Sequence, residues 1–227
     1  MKPRLLDLFC GAGGAAMGYH RAGFEVVGVD IKAQPRYPFE FHQADALATL
    51  TADIGISRDF DAIHASPPCQ AYLVANNIHG RTDHPDLIAE TRELLQETGL
   101  PYVIENVPGA PLENAVTICG LSVGVNVKRH RLFEANFPIM VPPCGDHSGD
   151  WLLVFGHTVL ERSKQIDRNT PSGGPRFRRK HVGTDRGREA MGIDWMNRDE
   201  LSEAIPPPYT ELIGYQLLQH IRAGVAA

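Results

Sequence analysis

An α/β fold, built on a mostly parallel, doubly wound sheet with a small irregular insert, is predicted from three observations. Short apolar runs alternate with helical stretches through the first two-thirds of the chain. A glycine turn follows the first run and opens a helix. From about residue 138 to 188 the periodicity weakens, and twelve of these 51 residues are Gly or Pro.

Each element follows from its residues. Leu5-Leu6-Asp7-Leu8-Phe9 reads as a buried strand, and Gly11 to Arg21 as the turn and its helix. Glu25 to Asp30 (EVVGVD) is a second strand ending on an acid, and Phe60 to Ala65 (FDAIHA) is a third. Residues 85 to 98 form an amphipathic helix: Leu87, Ile88, Leu94 and Leu95 share a face while Glu90, Glu93 and Glu97 stay wet. Asp83 and Pro85 suit its cap and first turn. Tyr102 to Glu105 (YVIE) is the next strand. In the insert, Trp151 to Phe155 suits a short strand, and the stretch from 163 to 187 reads as loop. Pro206-Pro207-Pro208 then leads into a last helix with Ile213, Leu217 and Ile221 on one face. The segments 1–137, 138–187 and 188–227 are read as core, insert and return to the core.

A chain of 227 residues suits one domain, or one domain plus a small insert. With 43% hydrophobic and 22% charged residues it buries a core without staples. No apolar run approaches a membrane span, and the first seven residues carry an acid and no apolar signal region. The cysteines, at 10, 69, 119 and 144, never form a C-x-x-C pair, so a disulfide framework is disfavoured and a reducing compartment is the default. A cytoplasmic monomer is expected. The net charge of −5 argues, taken whole, against a nucleic-acid binder. Its distribution argues the reverse. Residues 162 to 188 hold nine Lys or Arg and two acids, a balance of +7, which leaves −12 on the remainder. The insert is the basic part, where phosphates would be touched. Arg176, Arg178, Arg179 and Lys180 are its candidate contacts.

Two strand ends carry chemistry. In Asp7-Leu8-Phe9-Cys10-Gly11-Ala12-Gly13-Gly14 the glycines let backbone approach a ligand, and the helix start offers free N–H groups. Asp30 ends the next strand, where a carboxylate accepts the ribose hydroxyls of a nucleoside cofactor. A nicotinamide enzyme competes at this point. Ser66-Pro67-Pro68-Cys69-Gln70 follows the third strand, and its two prolines stiffen the exit toward the carboxyl end of the sheet. Glu105-Asn106-Val107 ends another strand. A thiol beside a proton-donating acid is equipment for adding a thiolate to an electron-poor ring. Cys10, Cys119 and Cys144 read as small core hydrophobes.

Taken in order, DLFCGAGG, SPPCQ, ENV and Lys128-Arg129-His130-Arg131 resemble the cytosine carbon-5 DNA methyltransferase family. The resemblance covers most of residues 5–137 and resumes near 188–218. It implies a Rossmann-like, S-adenosylmethionine-dependent methyltransferase fold with S-adenosylhomocysteine as the spent cofactor. It implies that Phe9, Gly11 and Gly13 form the cofactor loop, Asp30 holds the ribose, and Asp45 lies near the adenine amine. Asp7, Ile31, Ala46, Pro67, Ala204 and Ile205 complete the implied cofactor surroundings. Cys69 matches the nucleophile for cytosine carbon-6, and Glu105 the group on the ring nitrogen and exocyclic amine. Arg131 matches a contact to the cytosine carbonyl, Arg129 a support for that loop, and Asn106 belongs with the catalytic set.

Three positions depart from the family pattern: Val127 replaces a glutamine, Glu203 an asparagine, and Ala71-Tyr72-Leu73 follows Gln70 without the usual serine. The short insert implies a reduced recognition element. The implied partner is double-stranded DNA, in a restriction–modification or phage setting, within a bacterial or phage-infected cell. The same chemistry on RNA or a free cytidine nucleotide, a modified methyl donor, and an inactive DNA-binding homologue remain open. No metal is expected: Cys144, His147, His157 and His181 read as surface residues of a polar insert. His64 reads as packing, and Trp151, Phe155 and Phe177 as base-stacking candidates of which two build the insert's own core.

Overall fold

The structure, a computed structural model, describes residues 2–52, 59–68, 86–155, 158–165 and 176–225. Strand β1 (Arg4–Leu8) leads through a tight turn into helix α1 (Gly14–Ala22). β2 (Glu25–Asp30), β3 (Glu40–Gln43), α2 (Ala46–Ala52) and β4 (Ala62–Ala65) follow. Helix α3 (Ile88–Thr98), β5 (Tyr102–Asn106), β6 (Val116–Cys119) and β7 (His130–Ala135) complete the main sheet and its helices.

The sheet order is β3-β2-β1-β4-β5-β7-β6. The first five strands run parallel, and β7 is antiparallel to both neighbours. Strand order therefore reverses at β1, with β2 on one side and β4 on the other. In such sheets the crevice opens beyond the carboxyl ends at the reversal. Asp7, Asp30, Ser66 and Asn106 all stand at those ends.

Alternation along β1 divides the core. Leu5 packs under α1 with Tyr19, Phe24 and Ile213, while Leu6 and Leu8 face Ile63, Leu95 and Ile104 on the other side. On α3 the buried residues are Ile88, Thr91 and Leu95, with Leu87 and Leu94 half-buried. Its first turn is held by Asp86, whose Oδ1 accepts from the Ile88 N–H at 3.1 Å. Asp83 and Pro85, expected there, lie outside the described residues.

Of the segment expected as loop from 163 to 187, the described residues 163–165 and 176–187 are strand and helix instead, Val182 excepted. β8 (Trp151–Phe155), β9 (Thr158–Gln165) and β10 (Arg176–His181) form an antiparallel sheet, and helix α4 (Gly183–Met191) follows. The charged composition of β9 and β10 hides their alternation, and the glycines of α4 hide a helix. Gly187 has a packing reason: a Cβ there would stand 2.9 Å from a Val159 methyl. Leu152, Val154 and Val159 join Met191, Ile193 and Met196 in a third cluster that reaches Ala12. Trp151 is buried in this sheet. The side chains of Phe155 and Phe177 lie outside the described residues.

Helix α5 (Arg198–Glu203) starts with a capping box, Asn197 accepting from Glu200 N–H and Glu200 from Asn197 N–H. Helix α6 (Pro207–Val225) then packs along α1. Gly18 permits that approach, since a Cβ would run into Thr210 Oγ1 and the Pro207 carbonyl. Among the described residues no helix is long and apolar enough to cross a membrane.

Candidate active site

The turn after β1 holds an unusual backbone. Phe9 has φ +56°, a left-handed conformation that costs a bulky residue about 1–2 kcal/mol. Gly11 and Gly13 are left-handed too, at +49° and +83°. The chain thus turns so that the Gly11 N–H donates to Asp30 Oδ2 at 3.0 Å. The Lys32 N–H donates to Asp30 Oδ1 at 2.9 Å. Two backbone bonds brace Asp30, and a carboxylate with about four lone-pair sites still has two to offer a diol.

Beside it Ile31 is 64% exposed, an isolated apolar side chain at the strand end. A braced carboxylate next to an open isoleucine fits a nucleoside, with ribose hydroxyls on the acid and a base against the apolar chain. Asp45 caps α2 by accepting from the Ala48 N–H at 2.9 Å, and is itself exposed, while Ala46 is buried. Ala204 and Ile205 meet the far side of the turn at Gly14, where an added Cβ would strike the Ile205 backbone. Asp7 is placed differently from an open ligand contact: it is fully buried. Burial lifts its carboxyl to about 8, opposed by a hydrogen bond from Tyr37 Oη and aided by nearby Asp30. It anchors the turn from below through Tyr37.

The second strand end is assembled from three elements. Asn106, at the end of β5, donates from Nδ2 to the Pro67 carbonyl at 3.0 Å. Its Oδ1 accepts from the Val107 N–H at 2.9 Å. The buried Asn106 thereby pins the segment Ser66-Pro67-Pro68 that runs into Cys69. Cys69 itself lies outside the described residues. Glu105 is buried, and Arg131 Nε, from β7, stands 2.9 Å from its Oε1. That contact lacks hydrogen-bond alignment, so Oε1 is an acceptor with no well-directed donor. Burial raises the Glu105 pKa; Arg131, Arg129 and a hydrogen bond from Ser66 pull it down without cancelling the rise.

Arg129 is buried and structural in its contacts. It donates to the Val154 carbonyl at 2.8 Å and the Ser202 carbonyl at 2.7 Å, tying β8 and α5 to the strand that carries Arg131. Tyr209 Oη donates to the Arg129 carbonyl.

The sequence did not disclose the line of polar contacts behind these residues. Ser66 Oγ lies 2.9 Å from His64 Nε2, and His64 Nδ1 lies 3.0 Å from Tyr19 Oη. Burial drives the His64 pKa down to about 3, so the imidazole is neutral and its tautomer is set by these two hydroxyls. The packing reading of His64 holds, with a polar line toward Glu105 added to it. The one available signal was a polar residue at a buried strand position, Asp7 on β1 and His64 on β4.

In the basic insert, β10 is an edge strand. The side chains of Arg176, Arg178 and Arg179 lie outside the described residues, and Lys180 is exposed. Part of the local charge is already engaged. Arg186 pairs with Glu189 at 2.7 Å and Arg188 with Asp185 at 2.9 Å, while Arg188 Nε also donates to the Met196 carbonyl.

With that geometry in place, known proteins supply a comparison. The family profile described as C-5 cytosine-specific DNA methylase matches residues 3–118, just over half of the chain. The type II methyltransferase M.AplI of Arthrospira platensis is 32% identical over 84 residues, covering 36% of this chain and 24% of that protein. M.AquIA of a Picosynechococcus species is 28% identical over 126 residues, covering 48% of this chain and 50% of the relative. These matches span half or less of the relatives' own lengths. Among solved structures, the Entamoeba histolytica methyltransferase EhMeth superposes with a TM-score of 0.62 at 13% identity, over 97% of this chain and 99% of that one. The S. pombe Dnmt2 methyltransferase gives 0.61 at 13% identity, over 97% and 99%. At such identity the likeness concerns the fold.

Proposed function

The chain belongs to the family of C-5 cytosine-specific DNA methylases, and from that premise we propose that it methylates carbon-5 of a flipped cytosine in double-stranded DNA through a covalent Cys69 adduct. The observation that carries this reading is the meeting of Glu105, Arg131 and Asn106 at one strand end. A buried acid with a raised pKa stands against a guanidinium, and Asn106 grips the segment that runs into Cys69.

The chemistry assigns each group a task. Carbon-5 of cytosine is a poor nucleophile. Addition of the Cys69 thiolate to carbon-6 turns the ring into an enamine, and carbon-5 gains the electron pair it lacked. Glu105, whose pKa burial raises, donates to the ring nitrogen and offsets the charge that develops there. Arg131 holds the cytosine carbonyl. Loss of the carbon-5 proton and departure of the thiolate then restore the aromatic ring. S-adenosylmethionine, when bound, supplies an electrophilic methyl group on a positively charged sulfur. Asp30, Ile31 and the Gly11–Gly13 turn would hold it, with Asp45 near the adenine amine and Ala204 and Ile205 across the turn. A stacked base is out of reach of Cys69, so the cytosine leaves the duplex to react. The basic insert, Arg176, Arg178, Arg179 and Lys180 included, supplies phosphate contacts.

The test is direct. Protein, methyl-labelled cofactor and unmethylated DNA are incubated, and the digested nucleosides are analysed by mass spectrometry. Labelled 5-methyldeoxycytidine is the expected product, and Cys69→Ser abolishes it while leaving cofactor binding intact. Absence of any modified deoxycytidine overturns the reading. Label recovered from RNA or free cytidine nucleotide alone moves the activity to those substrates.

A further inference from the structure

We propose that Cys119, His130, Cys144 and His147 form a structural site for one zinc ion, apart from the candidate active site. The ligand atoms of these four side chains all lie within 4.8 Å of one another. Cys119 Sγ is 3.3 Å from His147 Nε2, Cys144 Sγ is 3.3 Å from the same nitrogen, and Cys144 Sγ is 3.2 Å from His130 Nε2. In a tetrahedral zinc site, with bonds of about 2.0–2.3 Å, neighbouring ligand atoms are about 3.3–3.8 Å apart. Three of the six pairs stand at or close to that spacing and the others within 4.8 Å, and two thiolates with two imidazoles suit Zn²⁺ above harder ions.

The fold explains how residues so far apart in sequence converge. Cys119 and His130 are direct partners in the antiparallel register of β6 and β7, so both side chains leave the same face of the sheet. Cys144 and His147 come from a C-x-x-H turn in the segment that leads to β8. That turn is itself held in place: Trp151 Nε1 donates to the His147 carbonyl at 3.0 Å, and Lys128 Nζ lies 5.1 Å from the centre of the Trp151 ring. A thiol–imidazole hydrogen bond accounts for one such contact. Three contacts shared among four atoms of metal-ligating type, one thiol buried and the other exposed, describe a coordination shell. His147 and Cys144 were grouped with His157 and His181 in the sequence. The structure pairs them with Cys119 and His130 instead; His157 lies outside the described residues and His181 is exposed on β10.

The site has a structural consequence. β6 is the outer strand of the main sheet, and residues 138–150 carry no helix or strand. Zinc would clip this irregular connection to the sheet edge. It would also fix His130 between Arg129, which holds β8 and α5, and Arg131, which stands at Glu105.

The experiment measures metal directly. Tag-free protein, purified under reducing conditions without chelator and desalted exhaustively, is analysed by inductively coupled plasma mass spectrometry. About one zinc per chain is expected, and a Cys119→Ser/Cys144→Ser double variant retains at least about tenfold less. Stripped wild-type protein titrated with Co²⁺ gives the intense visible bands of a tetrahedral site and thiolate charge transfer. Should the double variant not fold, this wild-type spectrum decides. Zinc-free wild-type protein whose stripped form takes up neither metal, or a Cys119–Cys144 disulfide in its place, overturns the proposal.

Discussion

At the scale of single residues, the two strand ends each hold a buried carboxyl, Asp7 and Glu105. Asp7 is the clearest case. Its ordinary pKa is 3.8, and burial carries it to about 8. A carboxyl raised in the folded state binds its proton more tightly there than in the unfolded chain. The stability it contributes is therefore complete below about pH 4 and is lost as the pH rises toward 8. Asp7→Asn removes the titration, so wild-type Tm should fall relative to the variant's between pH 5 and 8. Parallel Tm curves for the two proteins, by calorimetry across that range, would refute the assignment. Asp7 also shows what a motif can and cannot convey. DLFCGAGG placed an acid at the strand end, but nothing in the string said that Tyr37 would cover it. Glu105 was legible as the end of YVIE; its contact with Arg131 depends on β7 pairing with β5, which no local pattern announces.

At the scale of elements, legibility tracked how one-sided the burial is. EVVGVD was readable to its exact ends because both faces of a central parallel strand are buried. The helix from Ile88 was readable but starts later than its apolar pattern suggested. β9, β10 and α4 were not readable, since residues 161–165 and 176–181 hold almost no apolar side chains to alternate and Gly183 and Gly187 mimic a loop. The packing of α1 on α6 offers a quantitative test. Gly18→Ala forces a methyl against Thr210 and the Pro207 carbonyl and should cost about 1–3 kcal/mol, lowering Tm by several degrees. Gly224→Ala, near the end of α6 with nothing within 4 Å of the new methyl, should be neutral or stabilising by up to about 1 kcal/mol. Equal effects at the two positions, measured by denaturant unfolding, would contradict the close α1–α6 contact.

At the scale of the whole molecule, charge and topology divide the labour. The parallel sheet and its helices carry an acidic balance, and the small antiparallel sheet the basic one. Arg186 and Arg188 are engaged within the fold, and the proposed phosphate contacts are those of the β10 run. Replacing Arg176, Arg178 and Arg179 together by Ser should weaken DNA binding and shrink the slope of log K against log salt by up to about 3, read by fluorescence anisotropy. An unchanged slope would move the DNA-binding surface elsewhere. The alternation of strands and helices disclosed the architecture, and the four motifs disclosed the family. Neither disclosed the meeting of Cys119, His130, Cys144 and His147, because that cluster is created by strand register and a returning loop. The covalent step proposed for Cys69 can be trapped on a substrate that blocks its last stage. DNA containing 5-fluorocytosine cannot lose a proton from carbon-5, so an adduct formed there cannot resolve. With cofactor present, a denaturant-stable protein–DNA complex should form, and peptide mass spectrometry should place the nucleotide on Cys69. An active protein that forms no such complex, or carries the nucleotide on another residue, would contradict the account.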